Sequence, residues 1–167
     1  MATLYRVRQF LRMAGLLGDR TAAHVGREVL ALLSPVEQGL FSRLSAADRR
    51  HSIELAARLH RDGHTDPLLL RAALLHDVGK AEAKLRLWHR VLVVLANRFA
   101  PRLAVWLAVS PVGWRRPFFV ARHHAAIGAE LLEQVGSPAE VVWLVRHHER
   151  PGDHPLGKLL YVYDSTA

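Results

Sequence analysis

Apolar positions recur at spacings of three and four along most of this chain, the period of helices packed by one face. Ser34-Pro35-Val36-Glu37 has the composition of a capping box with proline in the first turn. Ser45-Ala46-Ala47-Asp48 opens a second helix, in which His51, Leu55 and Leu59 share a face. Asp66-Pro67 begins a third, with Asp66 as its cap. There Leu69, Ala73 and His76 follow one stripe, and Leu70, Leu74 and Asp77 follow the neighbouring one. Gly63 and Gly79 read as the ends of these two helices. Downstream, Val120, His124, Ile127, Leu131 and Val135 place a helix over 118–135, closed by Gly136, and turn His124 rather than His123 inward. Ser137-Pro138-Ala139-Glu140 reads as another capping box, and its helix runs to His147 and His148. From Pro155 onward, Leu156, Leu160 and Asp164 share a face. No strand-like alternation persists, so the expected class is all-α, a compact bundle of six or more helices.

Two stretches depart from this amphipathic pattern. Leu85–Ser110 is apolar nearly throughout, but Asn97, Arg98, Pro101 and Arg102 interrupt it, so it lacks the ~20 clean residues of a membrane span. It reads as two helices broken near Pro101, with an exposed apolar face suited to a homodimer through 85–110 or to peripheral membrane contact. Trp114-Arg115-Arg116-Pro117 reads as a basic turn. Met1–Gly18 mixes Leu4, Val7 and Leu11 with Arg6, Arg8 and Arg12, and has no long uncharged core of a signal sequence. It reads as a helix packed on the domain, followed by a helical stretch over Thr21–Leu33. Residues 1–33 are therefore taken as an N-terminal helical extension and 34–167 as the domain proper. A cytoplasmic location is expected.

Composition narrows the chemistry. There is no cysteine among the 167 residues, so disulfides and thiolate metal sites are excluded and any metal must rest on His, Asp or Glu. Histidine is abundant, with 11. The formal charge of +8 favours anionic partners. There is no Gly-rich phosphate loop, and no Ser-His-Asp or Cys-His order is visible.

The chemistry-bearing stretch is Leu74-Leu75-His76-Asp77-Val78-Gly79-Lys80, preceded by His51 and followed by His123-His124, His147-His148 and Asp164. Imidazole and carboxylate are ligands for divalent transition metals. In this order the residues resemble the HD-domain metal-dependent phosphohydrolases, over roughly Phe41 to Asp164. His124-Ala125-Ala126-Ile127-Gly128-Ala129-Glu130 and Arg146-His147-His148-Glu149-Arg150 further resemble segments of the HD-GYP branch. Periodicity leaves His147 and His148 open, since both can follow Leu144; the resemblance favours His147.

The resemblance implies a metal set of His51, His76, Asp77, His124, His147 or His148, and Asp164. It implies two divalent ions (iron, manganese or zinc) bridged by Asp77, and hydrolysis of a phosphoester or phosphoanhydride by a bridging hydroxide. Asp77 and Lys80 are then the catalytic candidates, and Lys80, Arg122, Arg146 and Arg150 the substrate-binding ones. A small phosphorylated substrate, a nucleotide above all, is the expected partner, and nucleic acid is not. Pro151-Gly152-Asp153-His154-Pro155 lacks the Tyr-Pro of the cyclic-dinucleotide enzymes, which argues against that substrate. Two rival readings share the ligand order: an HD-type diiron oxygenase, and a non-catalytic binding or signalling module stabilised by its metals.

Overall fold

The computed structural model describes residues 28–83 and 87–166. The expectations for Met1–Gly18 and for most of Thr21–Leu33 lie outside these residues. Among the described residues there is no strand, and from Pro35 onward there are eight α-helices and two short 3-10 segments. The helices are α1 (Pro35–Ser42), α2 (Ala46–Arg61), α3 (Pro67–Leu75), α4 (Leu87–Phe99), α5 (Pro101–Leu107), α6 (Arg116–Gln134), α7 (Ala139–His147) and α8 (Pro155–Thr166). The expected all-α class is the observed one.

Local chemistry explains four of the starts. The Ser34 hydroxyl accepts from the Glu37 amide while the Glu37 carboxylate accepts from the Ser34 amide, closing the capping box of α1. Ser45 caps α2 through the Asp48 amide, and the Asp66 carboxylate accepts from the amides of Leu68 and Leu69 at the start of α3. Pro101 opens α5 after Ala100, so the apolar stretch does break where its proline required.

Two expected local signals have other causes. Ser137 does not cap α7, whose N-cap is Pro138 without a side-chain bond; its hydroxyl donates instead to Glu37 Oε1 at 2.8 Å. Gly79 does not end α3, which stops at Leu75. It lies in the 3-10 segment Val78–Glu82, pressed against α6. A Cβ on Gly79 would collide with the carbonyl of His124 and come within 2.7 Å of the Gly128 amide nitrogen. Glycine is required here by close backbone approach.

That contact organises the molecule. α3 packs between α2 and α7, and its Leu69, Leu70, Leu74 and Leu75 are buried in one core with Leu55, Leu59, Leu132, Leu144 and Leu160. Each such leucine contributes about 2 kcal/mol of apolar burial. The 3-10 segment leans on α6, and α8 crosses over α2, α3 and α7. The ends of α3 and α7, the middle of α6, the first half of α2 and the end of α8 thus converge. The α4–α5 hairpin lies to the side, against α6.

Candidate metal centre

The convergence point holds His51 from α2, His76 and Asp77 after α3, His124 from α6, His148 at the end of α7 and Asp164 from α8. His76, Asp77, His124 and His148 have almost no exposed surface, and His51 and Asp164 lie nearer the rim. Two groups of ligand atoms form, His51–His76–Asp77 and Asp77–His124–His148, each with its atoms within 4.8 Å of one another. Asp77 belongs to both.

The two carboxylate oxygens of Asp77 divide between the groups. Oδ1 is 3.3 Å from His124 Nε2, and Oδ2 is 3.5 Å from His76 Nε2. His124 Nε2 stands 3.3 Å from His148 Nε2. Asp164 Oδ1 is 2.9 Å from His51 Nε2 and 3.5 Å from His76 Nε2. The expected lone carboxylate on α8 is therefore paired with His51.

The backbone sets the protonation of three rings. Nδ1 of His76, His124 and His148 donates to the carbonyls of Ala73, Ala121 and Val145 at 2.9, 3.0 and 2.7 Å. A carbonyl only accepts, so Nδ1 carries the proton and, in the neutral ring, Nε2 presents a bare lone pair to the centre. This is the outer support that metal-binding imidazoles use. Burial, reinforced by neighbouring His76 and His124, pulls His148 down to about 3, so it is neutral at pH 7. Burial pushes Asp77 up, but His76, Lys80 and His124 outweigh it and hold the carboxyl well below its ordinary range. Burial also raises Asp164, yet His76 and the bond from His51 bring it down to about 2. His51 is drawn down by burial and raised further by its bond to Asp164 and the charge of Asp77.

The result is a buried set of carboxylate oxygens and imidazole Nε2 atoms that converge on one another from five elements. A divalent cation fits this donor set: imidazole nitrogen and carboxylate oxygen, no sulfur, with outer hydrogen bonds in place.

The paired histidines separate. His124 and His148 face the cluster, while their neighbours His123 and His147 line a cavity of about 550 Å³. His147, favoured by resemblance, thus lies outside the ligand groups. Its Nδ1 donates to the carbonyl of Trp143 at 2.9 Å and its ring stacks on the Trp143 indole, which also packs on His154. The same cavity gathers Arg122, Arg146 and Arg150 with Glu149, against an apolar wall that includes Leu107 and Phe118. The periodicity that turned His123 outward was sound, but its place beside the three arginines had no local signal. Lys80 holds Asp77 Oδ2 at 2.6 Å. Burial pulls its ammonium down, and Asp77 raises it by more.

A family model, the HD domain, matches residues 49–167. Neither the curated proteins nor the solved structures compared with the chain give a match.

Proposed function

The chain belongs to the HD-domain family, and on that premise we propose that it is a metal-dependent phosphohydrolase acting on a small phosphorylated substrate, a nucleotide in the first instance. The carrying observation is the division of Asp77 between two ligand groups, His51–His76 on one side and His124–His148 on the other. In this reading the first group, completed by Asp164, holds one divalent ion and the second group holds another. Such ions supply a water ionised near neutral pH and neutralise charge on an attacked phosphorus.

The remaining roles belong to the chain itself. Asp77 orients both halves of the centre, and its burial keeps bulk water from competing for its oxygens. Lys80 is tethered to Asp77 and, released from Oδ2, has the reach to hold a phosphate oxygen beside it. Arg122, Arg146 and Arg150 give the cavity that His123 and His147 also line a cationic wall for further phosphates. The apolar wall near Phe118 accommodates the non-phosphate part of the substrate. Three arginines on, or just after, the helices that carry His124 and His148, with Lys80 at Asp77, favour hydrolysis of an anionic substrate over an oxygenase reaction.

The test is a hydrolysis screen in manganese, iron or zinc. It spans dinucleoside polyphosphates, nucleoside mono- to triphosphates, cyclic nucleotides and a generic phosphodiester. One of these should be turned over, and Asp77→Ala should lower kcat/KM about a thousandfold, the several kcal/mol that metal stabilisation of the transition state supplies. Lys80→Ala should act mainly on KM. Turnover that survives Asp77→Ala would place the chemistry elsewhere.

A further inference from the structure

Charge is distributed very unevenly along this chain. Residues 83–129 contain eight Lys and Arg and no Asp or Glu, while the rest of the chain balances at 15 of each. The whole net charge of +8 therefore resides in the segment that contains α4, α5 and most of α6. The same segment holds the exposed apolar side chains. Of 14 large hydrophobic residues exposed among the described ones, 11 fall between Trp88 and Trp114, so exposed apolar surface is concentrated on this hairpin and the turn after it. Phe99 is 76% exposed, Val94 66% and Trp114 65%.

The three tryptophans of this region are linked through ring contacts. Trp106 and Trp114 lie 6.2 Å apart between ring centroids, and Trp88 and Trp114 both approach Phe118 at 6.3 Å. Its arginines lie on its aromatic rings. The Arg115 guanidinium sits 4.3 Å above Trp106, and that of Arg98 lies 5.5 Å from the ring of Phe99. Tryptophan and arginine side by side at the edge of an aliphatic surface suit the boundary between acyl chains and headgroups, where an indole is half-solvated and a guanidinium snorkels to phosphate. Among the described residues no helix is long and apolar enough to cross a membrane.

We propose that the α4–α5 hairpin and its flanking tryptophans dock onto the surface of an anionic phospholipid membrane. Charge decides among possible occupants. A second copy would bring the same acid-free, cationic segment, setting like charge against like in a two-fold contact. Residues 1–27 carry five arginines against one aspartate, so they offer little complementary charge. A single-stranded nucleic acid would use the arginines and indoles, but gains nothing from exposed Val94, Leu103, Val109 and Val112. An anionic bilayer complements both the charge and the aliphatic surface.

The proposal is independent of the hydrolysis proposed above, and its test reads binding alone. The full chain is floated with phosphatidylcholine vesicles containing phosphatidylglycerol, and with pure phosphatidylcholine. It should partition to the anionic vesicles and be released by salt. Arg98→Gln and Arg102→Gln should each weaken partitioning about fivefold. Phe99→Ser should weaken it about tenfold through lost apolar insertion. These side chains are exposed, so helicity and melting temperature should be unchanged, and circular dichroism checks that. The proposal is overturned if the chain does not float with anionic vesicles, or floats equally well without Phe99 and both arginines. It is overturned equally by a dimer in sedimentation that Phe99→Ser disperses without any flotation, or by retention of a single-stranded oligonucleotide in place of vesicles.

Discussion

Glu37 and Asp77 are both carboxylates with almost no exposed surface, yet their surroundings are built on opposite principles. Every neighbour of Glu37 is a donor. Arg71 Nη2 reaches its two oxygens at 2.7 and 2.8 Å, the Ser34 amide reaches Oε2 at 2.8 Å, and the Ser137 hydroxyl reaches Oε1 at 2.8 Å. The group is closed, and it ties α1 to α3 and to the turn before α7. Around Asp77 the neighbours are of mixed character: the imidazoles of His76 and His124, a second carboxylate in Asp164, and the Lys80 ammonium on Oδ2. Imidazole nitrogens and carboxylates gathered in this way are a donor set that a divalent cation fits. The first arrangement is closed by donors, and the second has the composition of a metal centre.

Removing each carboxylate should therefore have different consequences. Glu37→Ala leaves Arg71 without its buried partner and should cost about 3 kcal/mol in denaturant unfolding, with metal content per folded chain unchanged. A variant that lost its metal while keeping its stability would break the contrast.

Gly79 presses the segment that follows Asp77 against α6. Gly79→Ala must push the 3-10 segment away from the His124 carbonyl, and with it Asp77. About 2 kcal/mol of destabilisation is expected from the overpacking, together with weaker metal binding that Glu37→Ala does not show. An intact metal affinity in a correctly folded Gly79→Ala protein would mean that the approach of Gly79 to α6 does not set the position of Asp77.

A smaller effect comes with pH. Burial raises the Glu37 carboxyl, but the Ser34, Arg71 and Ser137 bonds more than offset this and hold it below its ordinary value of 4.5. A carboxyl lowered in the fold stabilises fully above its unfolded value and loses that stabilisation as pH falls through the folded one. The stability gap between wild type and Glu37→Gln should thus be constant from pH 7 to about 5 and narrow as pH falls below 4.5. Urea titrations of both proteins across that range measure it. A gap that widens on acidification contradicts the assignment.

Much of the cluster was legible in the sequence because its candidate ligands sit on helical stripes. His51 continues the face of Leu55 and Leu59, and His124 that of Val120 and Ile127, so periodicity alone turned them inward. His148 was not separable from His147 in this way. Both follow Leu144 at helical spacing, and the choice depends on how α7 ends, with the His148 Nδ1 donating to the Val145 carbonyl. Ser137 and Gly79 misled for a related reason. Each carries a local signal for a helix terminus, but its partner is distant in sequence, Glu37 for one and His124 with Gly128 for the other. No local pattern encodes such a partner. The cationic cavity is of the same kind: Arg122 on α6 and Arg150 beyond α7 meet only through the packing of those helices.

The most direct measurement is the metal content per chain, by elemental analysis after reconstitution with manganese, iron or zinc, in wild type, Asp77→Ala, His148→Ala and His147→Ala. With Asp77 shared between two ligand groups, the wild type should hold two ions, His147→Ala two, His148→Ala one, and Asp77→Ala none. Two ions in His148→Ala with a loss in His147→Ala would reverse the division of the histidine pair. Wild-type metal content in Asp77→Ala would contradict the shared carboxylate outright.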